Sequence, residues 1–320
     1  MDQPVTKVNT KATLFHRKDV RITTIVSIAY LLFSTLILGF KIDQFVLVLL
    51  FNIMYYLSHP TRRFITGFSI FIVYWIVFDF MKAIPNYQYN MVHIESLYNA
   101  EKTLFGITEN GKSYTPNEFF AIHNISFFDV MTGVFYLCWV PVPLAMAAYL
   151  FYTNRRQFIY FSLTFFFVNL LGFVVYYIYP AAPPWYVQQH GFTFLPNTPG
   201  NTAGLGRFDA YVGFGIFNLL YAKSSNVFAA MPSLHSAYPI IVLYYGIKNK
   251  LGLLNVPFAI IMVGIWFAAV YTSHHYVLDV IAGMLCAITG ISIFNQFLVP
   301  DKRFEAFVTR FLIKMNTPVK

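Results

Sequence analysis

Two short motifs hold the residues best suited to chemistry. SHHYVLD, from Ser273 to Asp279, opens an apolar run, and His275 and Asp279 within it are spaced i, i+4, so both project from one helical face. A carboxylate in that position accepts the Nδ1 proton of His275, which leaves Nε2 unprotonated and stabilises positive charge on the ring. Those are the requirements of a histidine nucleophile. MPSLHSA, from Met231 to Ala237, opens another apolar run. Pro232 suits the first turn of a helix, and Ser233 and His235 fall inside that turn. The unpaired N–H groups and positive dipole end of a helix start make an anion site, and phosphate is the fitting anion at lipid-headgroup depth. Ser233 has two readings there, a phosphate donor or a simple helix cap. His235, His275 and Asp279 also compose a mixed nitrogen and oxygen set suited to zinc. No fourth ligand presents itself, however, and phosphohistidine chemistry needs none, so no cofactor and no metal are expected. His274 reads as structural.

The elements that must position these motifs are membrane spans. The chain has 320 residues, of which 58% are hydrophobic and 11% charged, against about 25% charged in soluble domains. Runs able to cross a ~30 Å hydrocarbon core fall at about eight places: 22–40, 43–58, 64–81, 126–152, 157–179, 232–247, 252–273 and 276–298. The net charge of +9 does not indicate a nucleic-acid binder, because the basic residues sit in short clusters between apolar runs. With the N-terminus on the cytoplasmic side, 16 of the 22 basic residues lie on inner segments. The other six (Lys41, Lys82, Lys102, Lys112, Arg207 and Lys223) lie on the much longer outer ones, in accord with the positive-inside rule. This topology, derived from charge alone, brings both histidine motifs to the outer face. Cys138 and Cys286 each lie in an apolar run, which argues against a disulfide framework.

The expected fold is therefore all-α and polytopic, with about eight transmembrane helices. Residues 1–63 form a cytoplasmic arm and two accessory spans, 64–300 a six-helix catalytic membrane domain, and 301–320 a cytoplasmic amphipathic segment. In that last segment Phe304, Phe307, Val308, Phe311 and Leu312 recur at helical spacing. Two outer segments are too long to be connectors. In 82–125, Ile94, Leu97, Tyr98, Leu104 and Phe105 share a face suited to lying on the membrane, with Glu101 an oddity on that stripe, a candidate partner for a basic residue. The segment 180–231 is rich in Pro, Gly and Asn and carries APPWY, read as a rigid turn with Trp185 as a headgroup anchor, and GLGRFD, Gly204 to Asp209. Asp79 and Asp129, near outer ends of spans, are candidates for inositol hydroxyls or for pairing with another helix, with the second preferred.

MPSLHS together with HHYVLD resembles the second and third signature motifs of the type 2 phosphatidic acid phosphatase superfamily. The spelling PSLHS, with APPWY and GLGRFD upstream, resembles its inositol phosphorylceramide synthase branch, and the similarity covers roughly residues 126–290. The resemblance implies His275 as nucleophile, Asp279 as its orienting partner and His235 as the acid and base. Hydrolytic members carry a basic first motif and an arginine six residues before the nucleophile. Here Tyr179 to Tyr186 holds no basic residue, and the position six before His275 is Ala269. Arg207 is then the best candidate for a rebuilt phosphate clamp. These departures favour a transferase that moves phosphoinositol, or a similar phospho-headgroup, from a glycerophospholipid such as phosphatidylinositol to a ceramide-like acceptor. The alternative is a lipid phosphatase of the same superfamily acting on a phosphatidate or polyprenyl-phosphate type substrate. A transporter reading expects inverted repeats and ionisable groups near the midplane, and the sequence has neither. The absence of a long polar tail leans towards a bacterial plasma membrane over a Golgi one.

Overall fold

The computed structural model describes residues 14–222 and 226–316. Lys223, Lys320 and the start of the basic arm, with Lys7 and Lys11, lie outside the described residues. The helices in chain order are α1 (Arg17–Leu38), α2 (Ile42–Leu57), α3 (His59–Ala83), α4 (Glu95–Phe105), α5 (Pro116–Ile122), α6 (Ser126–Leu137), α7 (Pro141–Thr153) and α8 (Arg155–Ile178). They continue with α9 (Pro184–His190), α10 (Leu205–Val212), α11 (Ile216–Tyr221), α12 (Leu234–Lys248), α13 (Asn255–Tyr271), α14 (Val277–Ile293) and α15 (Lys302–Asn316). The all-α expectation needs one amendment. Ile107–Glu109 and Lys112–Tyr114 pair antiparallel around Asn110 and Gly111, whose φ angles of 51° and 75° suit a tight hairpin turn. Asn-Gly is the strongest short-range hairpin signal, and reading this stretch only for helical periodicity passes over it.

Six stretches among the described residues are long and apolar enough to cross a membrane: Arg17–Leu38, His59–Met81, Ser126–Thr153, Arg155–Ile178, Gly252–Tyr271 and Val277–Leu298. The two that fall short of the expected eight are α2, with 16 residues, and α12, with 15. At 1.5 Å of rise per residue, each spans less than about 25 Å. The span at Ser126–Thr153 is broken rather than continuous. Helix α6 ends at Leu137 and α7 restarts at Pro141, which occupies a first-turn position because it has no N–H to continue the α6 ladder.

By contacts the chain divides into two compact units, 1–83 with 302–320, and 84–301. In the first, α2 and α15 pack on α3, and Arg62 pairs with Asp19 at 3.2 Å while lying over the Tyr55 ring. Helix α3 thus groups with α1 and α2, whereas the sequence reading counts its span with the catalytic bundle. The amphipathic α15 buries Val308 and Met315. In the second unit α12 is the central helix, packed against α7, α8, α13 and α14. Close approach of α14 to the start of α12 depends on Gly283, where a Cβ would collide with the Ser233 carbonyl.

Two outer-segment expectations are corrected. Trp185 is not a headgroup anchor: it is 5% exposed, in a cluster with Ile94, Ala182, Tyr186 and Phe228, because α9 folds inward and the Trp185 N–H donates to the Ser273 carbonyl. The face of α4 around Ile94 and Leu97 is buried against protein, with Leu97 packed on Ala181, Ala230 and Tyr276, and only its far end, at Leu104, is exposed.

Candidate active site

The starts of α12 and α14 meet, although His235 and His275 are 40 residues apart in the chain. The Ser233 N–H donates to the Asp279 carbonyl at 2.9 Å, which ties one helix start to the other. Across that junction His235 Nδ1 lies 3.2 Å from His275 Nε2. Behind it His275 Nδ1 lies 3.6 Å from Asp279 Oδ2, a separation slightly too long for a hydrogen bond. Asp279 Oδ2 already accepts the Tyr276 N–H at 2.8 Å, whereas Asp279 Oδ1 and His275 Nδ1 are both buried without a hydrogen-bond partner. Two buried orphans of opposite character, side by side, are satisfied at once by a small ring or carboxylate rotation, and catalytic hydrogen bonds commonly tighten when substrate binds. His275, Asp279 and His235 are thus brought together, but not on one helical face: α14 begins at Val277 with Tyr276 as its cap, so His275 lies in the turn before the helix and Asp279 in its first turn.

The other two expected site residues are placed differently. Ser233 is fully buried and makes no side-chain cap; its Oγ accepts a hydrogen bond from Ser236 Oγ at 3.0 Å. Arg207 is not in contact with either histidine. Its Nε lies 2.6 Å from Asp129 Oδ1, its guanidinium sits over the Tyr271 ring, and Tyr271 also donates to Asp129 at 2.9 Å. Asp129 is thus a helix-to-helix partner, the preferred of its two readings. Asp79 lies on α3 in the first unit. The Arg207 loop reaches the histidine turn through backbone: the Gly204 N–H donates to the Thr272 carbonyl at 2.9 Å. Among the described residues no group of three or more His, Cys, Asp or Glu is arranged to hold a metal ion.

Several residues at the site have no chemical signature in the sequence. Tyr136 Oη is 3.3 Å from His235 Nδ1 and accepts from Tyr221 at 3.5 Å, and Trp139, in the break between α6 and α7, packs edge-on to the His235 ring at 4.6 Å. In the sequence these are simply aromatics in an apolar run. His274 stacks on Tyr221 and Tyr136, and burial pushes it down to about 3, so it is neutral. Its Nε2 lies 2.9 Å from the Thr202 carbonyl, which can only accept, so Nε2 carries the proton. That is the structural role expected for His274.

Two buried side chains hold the His275 turn from outside. Asn117 donates through Nδ2 to the carbonyls of Val270 and His275 at 2.8 and 2.9 Å. Glu101 accepts the N–H groups of Val277 and Leu278 at 2.9 and 3.1 Å. Glu101 therefore pairs with a helix start and not with a basic side chain, as its place on an apolar stripe had suggested.

Three comparisons bear on this arrangement. The family described as PAP2 superfamily matches residues 113–293, which contain both histidine motifs. The chain is 40% identical to a phosphoinositol dihydroceramide synthase of Bacteroides thetaiotaomicron over 92% of its own length and 97% of the relative's. It is 30% identical to an inositol phosphorylceramide synthase of Candida albicans over 56% of this chain and 40% of that one. A catalytic subunit of inositol phosphorylceramide synthase from Schizosaccharomyces pombe is 27% identical over 77% of this chain and 57% of that one. No solved structure matches the chain.

Proposed function

The chain belongs to the PAP2 superfamily, and from that premise we propose that it is a membrane sphingolipid synthase that transfers phosphoinositol from a glycerophospholipid to a ceramide-type alcohol. The observation that carries the mechanism is the 3.2 Å approach of His235 to His275 with Asp279 behind. With Asp279 accepting from Nδ1, His275 Nε2 holds a lone pair, and in the resting site that lone pair faces His235 Nδ1. The donor phosphorus has to enter between the two rings. His275 Nε2 then attacks phosphorus, the bond from phosphorus to the diacylglycerol oxygen breaks, and His235 supplies the proton that oxygen needs. In the second half His235 takes the proton of the acceptor hydroxyl, which attacks the phosphohistidine and releases His275. Splitting one displacement into two lets the donor alcohol leave before the acceptor binds.

Charge on the transferring phosphoryl oxygens is met by the first turn of α12, where the N–H groups of Leu234 and His235 have no acceptor among the described residues. Ser233, the N-cap of that turn, is the nearer candidate support, and Arg207, bound to Asp129, would have to leave that partner to act as a clamp. The contact between the two helix starts requires α12 and α13 to run as an antiparallel pair. Counting α12 and α2 as short crossings gives eight spans, and with that count the positive-inside rule supports an extracytoplasmic site. The named bacterial relative acts in a bacterial setting, which agrees with a plasma-membrane location.

Purified protein incubated with labelled ceramide and a panel of phospholipids tests this reading. Phosphatidylinositol is expected to yield a new inositol-containing sphingolipid. Donor alone should give slow diacylglycerol release by leakage to water, and ceramide should speed that release while diverting the headgroup. If free inositol phosphate stays the dominant product at saturating ceramide, the phosphatase reading replaces this one.

A further inference from the structure

Glu101 lies outside both histidine motifs, yet it is fully buried and points at the helix that carries the nucleophile. Its two carboxylate oxygens take the N–H groups of Val277 and Leu278, while Asp279 takes that of Tyr276. The N–H groups of Tyr276, Val277 and Leu278 at the start of α14 are thus held by carboxylates, two of them by a side chain from α4, 176 residues from Val277 in sequence. Burial of a carboxylate is costly, and capping two orphan donors at the positive end of a helix is the geometry that offsets it.

We infer that Glu101 is a positioning residue for the phosphoryl-transfer step: it sets the first turn of α14, and through it the direction of the His275 ring. The inference rests on the His275 mechanism proposed above. Val277 and Leu278 follow His275 by two and three residues, and Asp279 sits in the same turn, so a loosened turn moves the ring and its orienting carboxylate together. The groups facing Glu101 are few. Asp279, on the first turn of α14, raises the cost of charge on Glu101, and Tyr276 precedes that turn, while Tyr98 and Lys102 are its neighbours on α4 and Glu118 on α5 binds Tyr98. Lys102 binds Tyr98, and among the described residues no cation is paired with Glu101. Burial pushes the Glu101 carboxyl up to about 7, against the opposing pull of its two backbone bonds. The ionised form accepts both N–H groups with full charge. The protonated form keeps a hydrogen on one oxygen and caps only one well. The turn is therefore expected to be tight above pH 7 and to loosen as pH falls through that value.

The test compares wild type with Glu101→Gln and Glu101→Ala in detergent with phosphatidylinositol and ceramide. Glu101→Gln preserves shape and one acceptor oxygen but turns an NH2 towards the other N–H. Its kcat is expected to fall on the order of 10- to 100-fold with KM changed by less than about twofold, since a misplaced reacting group loses rate more than binding. The ratio of wild-type to Glu101→Gln kcat is expected to shrink as pH falls from 8 to 6, and taking the ratio cancels titration of the histidines. Amide hydrogen exchange of residues 277–281 at pH 8 reads the same turn without any turnover, and should be faster in Glu101→Gln with exchange elsewhere in α14 unchanged. A ratio independent of pH, or kcat at the wild-type level, overturns the inference. If Glu101→Ala does not fold, Glu101→Gln alone decides. Faster exchange in Glu101→Gln with no inositol-containing product from wild type would uphold the capping role and reject the synthase reading instead.

Discussion

The two histidine-bearing helix starts are built to opposite plans. At α14 the protein answers its own helix: Glu101 and Asp279 take the first N–H groups, and Asn117 holds the His275 carbonyl. At α12 the Ser233 N–H is bound to the Asp279 carbonyl, but those of Leu234 and His235 have no acceptor among the described residues, and His235 is walled by the rings of Tyr136 and Trp139. A nucleophile has to be held in one direction through two chemical steps, and fixed carboxylates do that. A proton carrier has to serve two different alcohols, and apolar walls confine the ring without fixing a charge on it. Under the proposed mechanism, this difference favours the start of α12 as the anion site, because the first N–H groups of α14 are already bound.

This comparison can be broken most sharply at the nucleophile. His275→Ala is expected to reduce transfer to background, a loss on the order of 10⁴-fold or more, with an unchanged melting curve in detergent. A folded variant with near-normal turnover would leave α14 without a catalytic role. Asp279→Asn comes next. It keeps a carbonyl oxygen for the Tyr276 N–H but sets the wrong His275 tautomer, so a residual rate about 10³-fold below wild type is expected, short of total loss. Single-turnover formation of labelled phosphohistidine should fall with it; a normal rate of labelling would remove Asp279 from the first step. The smallest expected effect belongs to the α12 side. Tyr136→Phe deletes one neutral hydrogen bond at His235, worth about 1 kcal/mol, so a loss of roughly fivefold is expected, measured as kcat with saturating donor and acceptor. A loss as large as that of Asp279→Asn would mean that His235 is held as rigidly as His275, and the contrast would fail.

The sequence singles out His235, His275 and Asp279, which the structure brings together, because the signals that mark them are local. His275 and Asp279 are four residues apart, so the turn that starts α14 at Val277 keeps them close although His275 lies before the helix, and Pro232 with Ser233 marks a helix start wherever that helix lies. The distribution of basic residues and the lengths of apolar runs likewise act through a solvent, the bilayer, that treats each span separately. What failed depended on neighbours. Trp185 looked like an interfacial anchor because nothing in APPWY says that α9 folds inward. Glu101 looked like an oddity on a membrane-facing stripe because the N–H groups that explain it begin at Val277.

The sequence by itself determined a polytopic membrane chain and marked its two histidine motifs as candidates, since hydropathy, charge asymmetry and motif spacing are properties of short segments. Only the tertiary structure decided that Arg207 is bound to Asp129, that Tyr136 and Trp139 enclose His235, and that Glu101 and Asn117 hold the turn at His275. Each of these is a contact between residues far apart in the chain, and such a contact exists only once packing has brought a buried donor to the acceptor that its burial makes necessary.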